Sequence, residues 1–379
     1  MSTALDPAAP GDVRALTDRV LNALREQGLV AGVAGAERFD GTRRDLEDRK
    51  AAGLHGGMAF TYRNPARSTD PGRTLDGARS LVVGALNYLR DRPAPRPEAV
   101  APGRVARYAW SDAYGDLTER LRVGAAVLRA EGFRTAVLAD QNALVDREAA
   151  YRAGLGWYGR NANLLLPGRG SWYVLGSIVT DAALVPSRPS SGGCGTCTRC
   201  VPACPTAAIV APGVVDARRC LSWLLQATGS FPRPFREALG DRIYGCDDCQ
   251  EACPPNRAAH PAAASDADRA ALDVVELLDE DDDRVIATAG RWYVAQRNAR
   301  YLRRNALVVL GNVADPSDER ALAAVARCLR HADPLVRAHA VWAAARLGRP
   351  DLADRLDATE ADPVVRSELL QRHDVTPRR

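Results

Sequence analysis

Eight cysteines lie between residues 194 and 253 of this 379-residue chain. Four form the run Cys194-x2-Cys197-x2-Cys200-x3-Cys204, with Pro205 directly after it. A second set, Cys246-x2-Cys249-x3-Cys253-Pro254, is one member short, and Cys220 lies between the two sets to supply it. Met1 to Asp12 carries Asp6, Pro7 and Pro10 and no apolar stretch, so no secretory signal is expected and the cytoplasm is the expected compartment. There, thiols serve metal or redox chemistry more often than disulfides. The first run has the spacing in which three thiolates hold one [4Fe–4S] cluster and the fourth crosses to another. The count then closes. One cluster takes Cys194, Cys197, Cys200 and, by the crossing, Cys253; the other takes Cys246, Cys249, Cys204 and Cys220. Two four-thiolate zinc sites are the alternative, but zinc uses separated C-x2-C pairs and fits a contiguous run poorly. The ninth cysteine, Cys328, shares an apolar helical face with Val325 and Leu329 and reads as an inert buried thiol.

Clusters of this kind carry single electrons, so the rest of the chain must supply a substrate site or a second redox centre. Val13 to Gln27 reads as an amphipathic helix closed by Gly28. Leu81–Leu86, Thr135–Ala139 and Trp172–Thr180 read as strands, and Tyr114–Ala130 and Ala143–Ala153 as helices. Asp91 to Pro102 reads as a proline-rich loop. This alternation indicates an α/β layer up to about Leu184. Gly154-x-Gly156-x-x-Gly159 follows a predicted helix instead of a strand and is not a dinucleotide fingerprint. The chain therefore divides into an α/β domain (1–185), a two-cluster, bacterial ferredoxin-like domain (186–260) and a helical tail (261–379), an α+β multidomain protein overall. In the tail, Asp333-Pro334-Leu335-Val336-Arg337 recurs as Asp362-Pro363-Val364-Val365-Arg366. That turn into an apolar helix favours HEAT-like repeats over an ordinary bundle.

Apolar residues are 46% and charged residues 26% of the chain, which suits a soluble globular protein. No apolar run is long enough to span a bilayer, so no membrane contact is expected. The formal charge of +4 permits a nucleic-acid partner without requiring one. Arg291, Arg297, Arg300, Arg303 and Arg304 lie in a stretch without acidic residues, interleaved with Trp292, Tyr293 and Tyr301. Such a stretch suits phosphates and unpaired bases. An equally good reading is a solvated helix face with its aromatics in the core. Asp279-Glu280-Asp281-Asp282-Asp283 reads as a solvated acidic loop.

Several segments together resemble the epoxyqueuosine reductase family. They are His55-Gly56-Gly57-Met58, Gly103 to Trp110 (G-R-V-A-R-Y-A-W), Arg152 to Asn161 (R-A-G-L-G-W-Y-G-R-N), Arg242 to Gln250 (R-I-Y-G-C-D-D-C-Q) and Arg304 to Asn312 (R-N-A-L-V-V-L-G-N). With the cysteine runs they cover the chain in order from about Val13 to Arg366. The resemblance implies a base-off cobalamin held between the α/β domain and the clusters, with electrons passing from the clusters to cobalt. The implied substrate is an epoxide on the cyclopentane ring of a modified guanine at the wobble position of tRNA, bound through the anticodon stem-loop. It further implies Asp140 as proton donor. Met58, Arg107, Tyr108, Asn161, Asn163 and Ser222, together with Asp140, are the corrinoid candidates, and the five arginines are the tRNA candidates. A monomer fed by a small donor such as flavodoxin or ferredoxin is expected. By its residues alone, Asp140 ends a strand, where α/β sheets bind ligands, but it could equally cap the helix starting near Ala143.

The chain departs from the family pattern at Asp140-Gln141-Asn142-Ala143, at Asp112-Ala113-Tyr114-Gly115, at Thr228 to Pro232 and at Pro254-Pro255-Asn256. The eight cysteines are intact. Two rivals follow. A reductive dehalogenase would also pair a corrinoid with two clusters, but normally with an export signal and without the repeat tail. A ferredoxin-type carrier with interaction repeats would bind no corrinoid.

Overall fold

The computed structural model describes residues 10–94, 99–357 and 360–378; part of the expected proline-rich loop, residues 95–98, lies outside the described residues. Four strands make the main sheet in the order Val30–Gly35, Ser80–Asn87, Tyr173–Thr180, Thr135–Ala139. The two inner strands are buried along nearly their whole length. Layers cover both faces, so their sequences are continuous apolar runs instead of alternating ones. On one face Val82, Leu86, Val174 and Ile178 pack against Val20, Leu24, Leu117 and Leu121 of the helices Pro10–Glu26 and Ala113–Ala130. On the other, Leu81, Val83, Leu175 and Val179 meet Leu144, Ala149 and Ala150 at the helix Asp146–Arg152. The expected helix-on-sheet layering is present. Every neighbouring strand pair is antiparallel. Alternating elements do not fix strand direction when the connections are long enough to return the chain to either end of the sheet.

A second sheet joins Arg242–Tyr244, Pro102–Val105 and Ala271–Asp273, one strand from each of the three sequence segments. Its core residues Val105 and Ile243, with Leu221 and Leu224, belong to one apolar cluster with Leu302, Leu307 and Val309 of the tail. The tail stacks the helices Arg300–Val313, Glu319–Cys328, Pro334–Arg346 and Pro363–Leu370. The repeated Asp-Pro pairs are helix starts. Asp333 accepts from Leu335 N (2.8 Å), and Asp362 accepts from Val364 N (2.9 Å). In each helix the proline occupies the first turn, where its missing N–H costs nothing. The acidic run is not a free loop. Asp281 caps the helix Asp282–Ala289, Asp279 pairs with Arg327, and Asp282 holds Arg303.

The cluster segment is tied to the main sheet by a buried polar knot. Asn256 Oδ1 accepts from Ser171 N (2.5 Å), its Nδ2 donates to Ser171 Oγ (2.9 Å), and Gln250 Nε2 donates to Tyr88 Oη (3.2 Å). Gly170 adopts φ +75°, and a Cβ there would lie 2.1 Å from Asn256 Oδ1. Only glycine fits that approach. Among the described residues no helix is long and apolar enough to cross a membrane.

Candidate functional site

All nine cysteines are free thiols. The charges that Cys200 and Cys253 feel from other thiols come from Cys194 and Cys197 and from each other's group. Cys249 feels Cys246, Cys220 and Cys204, and more weakly Cys200. The fold thus gathers the thiols as Cys194, Cys197, Cys200 and Cys253 on one side and Cys204, Cys220, Cys246 and Cys249 on the other. Burial raises the thiols of Cys200 and Cys253 and those of Cys220, Cys246 and Cys249, with Cys246 pushed up to about 12. Among the described residues no three Cys, His, Asp or Glu side chains converge as a single metal ion requires. A cubane, with an iron at alternate corners of a cage, spreads its four thiolates more widely than one zinc ion does, and this donor set suits it. Cys328 is buried in the tail core, its thiol raised to about 11 by that burial.

Asp140 follows the strand Thr135–Ala139 and holds φ +54°, a left-handed conformation few non-glycine residues adopt. It is not a helix cap. The next helix starts at Asp146, with Val145 at the cap position and no side-chain cap bond. Helical structure therefore begins later than the expected Ala143. Asp140 is open to solvent, yet desolvation by the surrounding protein raises its pKa, and Arg291 opposes that shift. Asp146 is more tightly enclosed. Burial first, then the charge of Asp140, holds its carboxyl well above the usual range, against the pull of Arg147. Tyr114 feels both carboxylates. Tyr108, Tyr114 and Asp146 keep accessible surface although burial dominates their titration. These groups are enclosed by protein but still reachable from solvent. A carboxyl kept protonated near neutrality can donate a proton there.

The Arg107 guanidinium lies 5.0 Å from the Trp110 ring centre and 5.6 Å from that of Trp172, and donates to Arg90 O (2.9 Å). Its backbone N–H donates to Asp247 Oδ2 (2.7 Å). Asp247 Oδ1 and Arg107 Nε, the latter 3.8 Å from Glu251 Oε1, are buried without a hydrogen-bond partner in the protein. Tyr108 leans on Tyr244. Asn161 Nδ2 donates to Cys249 O (3.2 Å), and its Oδ1 accepts from Asn163 N (3.3 Å). Met58 lies two residues after Gly56, whose carbonyl accepts from Trp223 Nε1 (2.8 Å), and Trp223 is the chain neighbour of Ser222. All six thus adjoin segments that carry Cys220, Cys246 or Cys249.

The five arginines separate. Arg291 is exposed and pairs with Asp112 at 3.2 Å. Arg297 is exposed but donates to the carbonyls of Gly290 and Trp292. Arg300 is half-buried, 3.6 Å from Asp333. Arg303 and Arg304 do not fit phosphate contacts. Arg303 is buried against Asp282 and the carbonyls of Leu278 and Glu280, and Arg304 is completely buried. Consecutive basic residues on a helix point to different neighbours, and here two of them point into the core. Trp292 and Tyr301 are core as well, with Trp292 stacked on Tyr244 at 4.4 Å; Tyr293 is 55% exposed.

Sequence reasoning passed over Arg147. It is exposed, yet its charge reaches Tyr88, Tyr114, Tyr158, Asp146 and Cys220. Its only sequence signal was a charge pair, Asp146-Arg147, inside a predicted helix, which reads as ordinary surface.

Comparison with known proteins agrees with this arrangement. Residues 193–256 match the 4Fe-4S double cluster binding domain, and residues 291–371 match HEAT repeats. An epoxyqueuosine reductase of Xanthomonas campestris is 35% identical, over 92% of this chain and 100% of that protein. One from Bacillus subtilis is 33% identical, over 86% of each. The crystal structure of an epoxyqueuosine reductase with an epoxyqueuosine-modified tRNA-Tyr stem loop superposes with a TM-score of 0.87 at 29% identity, over 95% of this chain and 98% of that one. A Bacillus subtilis epoxyqueuosine reductase structure, with its catalytic aspartate loop swung out of the active site, gives 0.86 at 30% identity, over 95% and 99%. A sheet domain, a double-cluster segment locked to it and a repeat tail, matched along nearly the whole length of such relatives, place this chain in the epoxyqueuosine reductase family.

Proposed function

We propose that this chain is an oxidoreductase that converts epoxyqueuosine to queuosine at the wobble position of tRNA. Both C–O bonds of the epoxide break, a C=C bond forms and the oxygen leaves as water, which consumes two electrons and two protons. One observation carries the reading: Asp140, its pKa raised by desolvation, lies within the field of Arg291, at the start of the exposed basic and aromatic segment. Proton donor and nucleic-acid contact therefore share one rim.

Cys194, Cys197, Cys200 and Cys253 hold one [4Fe–4S] cluster, and Cys204, Cys220, Cys246 and Cys249 hold the second. Residues between the second group and the sheet domain would hold a cobalamin. The unpartnered polar atoms of Arg107 and Asp247 and the enclosed tyrosine hydroxyls suit the amide-fringed edge of a corrin. Met58, Tyr108, Asn161, Asn163 and Ser222 complete its setting. A bound corrinoid supplies strongly reducing electrons. Asp140 gives its proton to the epoxide oxygen, and Asp146, its enclosed neighbour, is placed to restore it. Arg291 and Tyr293 receive the tRNA stem-loop, with Arg297 and Arg300 beside them. The enzyme works in the cytoplasm as a monomer and takes its electrons from a small donor such as flavodoxin or ferredoxin.

Anaerobically reconstituted protein, supplied with cobalamin, a chemical reductant and an epoxyqueuosine-containing stem-loop, is expected to yield queuosine on nucleoside mass spectrometry. Failure to take up any corrinoid, with the epoxide unchanged, refutes the reading.

A further inference from the structure

The two thiol groups have different neighbours, and this gives the electron path a direction. The second group is tied to the sheet domain: Asn161 Nδ2 donates to Cys249 O (3.2 Å), Asp247 beside Cys246 accepts from Arg107 N (2.7 Å), and Trp223, three residues after Cys220, donates to Gly56 O (2.8 Å). The other group opens outward. Gly193, Cys194, Gly195, Thr196, Cys197, Thr198 and Arg199 line a surface hollow closed by Pro254.

The rim of this hollow is basic. Arg199 is exposed, Arg257 is exposed on the short helix that Pro254 begins, and Arg160 Nη2 donates to Gly195 O at 3.0 Å. Between Asp181 and Asp216 the sequence holds no carboxylate at all, and Asp216 is bound to Arg218. Glu251, the nearest acidic residue in sequence on the far side of Cys253, is engaged with Arg92, Arg104 and Arg107. Val201, at 36% exposure, adds an apolar contact beside Cys200. An open hollow over the outer thiols, flanked in the chain by exposed arginines and lined by no carboxylate, suits a transient electron-transfer contact. Such contacts are small, and long-range attraction sets their rate.

We propose that this hollow docks a small acidic one-electron carrier protein, whose own redox centre lies near its surface, through Arg199, Arg257 and Arg160. The proposal rests on the cluster assignment in the proposed function. Each encounter oxidises the carrier by one electron and reduces the outer cluster by one. Two encounters meet the two-electron demand of one epoxide.

The test uses the reconstituted holoenzyme with and without Arg199→Glu and Arg257→Glu, singly and together, and flavodoxin as the probe. Two quantities are measured: equilibrium affinity for oxidised flavodoxin, and bleaching of cluster absorption after mixing with reduced flavodoxin, each at several ionic strengths. The double variant should bind at least about tenfold more weakly and be reduced correspondingly slower at low salt, the gap closing as salt rises. Reduction by methyl viologen radical cation, which needs no docking, should not slow. Unchanged flavodoxin affinity overturns the proposal. So does an equal slowing with methyl viologen, which would mean a damaged cluster, or a loss of tRNA stem-loop binding with flavodoxin binding intact. Epoxide turnover driven by methyl viologen reports on the proposed function separately, so a failure there is not confused with a failure of docking.

Discussion

Replacing Arg304 by lysine separates a structural role from a phosphate contact. Arg304 donates to the carbonyls of Ala227 (2.7 Å), Gly229 (2.6 Å), Leu224 and Leu225 (3.1 Å each), and to Asn305 Oδ1 (3.0 Å). No carboxylate pairs with it among the described residues, and burial lowers its pKa to about 9. It is a cation held by carbonyl oxygens, and it shapes the Ala227–Phe231 turn against the tail. An ammonium group has three donors and no planar fork, so at least two of these acceptors lose their partner. At about 1–3 kcal/mol for each buried orphan, Arg304→Lys should cost about 2–6 kcal/mol. For a folding unit of this size, at about 2–4 °C per kcal/mol, the apparent Tm should fall by roughly 5–20 °C. Unfolding is followed by circular dichroism at one fixed scan rate, since irreversible loss makes Tm depend on rate. The reasoning fails if the lysine variant melts within a degree of the parent while its tRNA affinity drops and its salt slope falls by about one, the signature of a lost phosphate contact.

The other expectations concern the acid, the clusters and the tail. Asp140→Asn should retain clusters and corrinoid while the single-turnover rate falls by about 10²–10⁴, the usual contribution of a positioned acid. Because Asp140 must be protonated, the rate falls as pH rises through its raised pKa; Arg291→Gln removes the opposing charge and should move that limb to higher pH at saturating tRNA. Cys220→Ser should lose the iron of one cluster and keep the other, seen by iron analysis and electron paramagnetic resonance. His339 is fully buried, accepts from Phe231 N (3.1 Å) and faces Arg236 and Arg304, which with burial hold its pKa well below 6.5. The unfolded chain therefore binds the extra proton as pH falls. Its contribution is steady above about pH 6.5 and destabilises the fold below it by up to about 1.4 kcal/mol per pH unit. His339→Gln should flatten that part of a denaturation profile between pH 7 and 5.

What could be read from the sequence was what short segments decide among themselves. Cys194, Cys197 and Cys200 share one short turn and Cys246 and Cys249 another, so spacing alone announced the two thiol runs. The Asp-Pro repeats cap their own helices, and an apolar run such as Leu81–Leu86 states its own burial. Tertiary structure decided everything that depends on which distant segment comes near. It brought Cys253 to Cys194 and Cys220 to Cys204, set the strands antiparallel, and left Asp140 free of the helix that follows it. It also sent Arg304 inward to carbonyls some 80 residues away while leaving Arg291 exposed and paired with Asp112. A guanidinium carries the same charge in every sequence. Whether it meets water, a phosphate or a ring of carbonyls is settled only by the packing of remote elements around it.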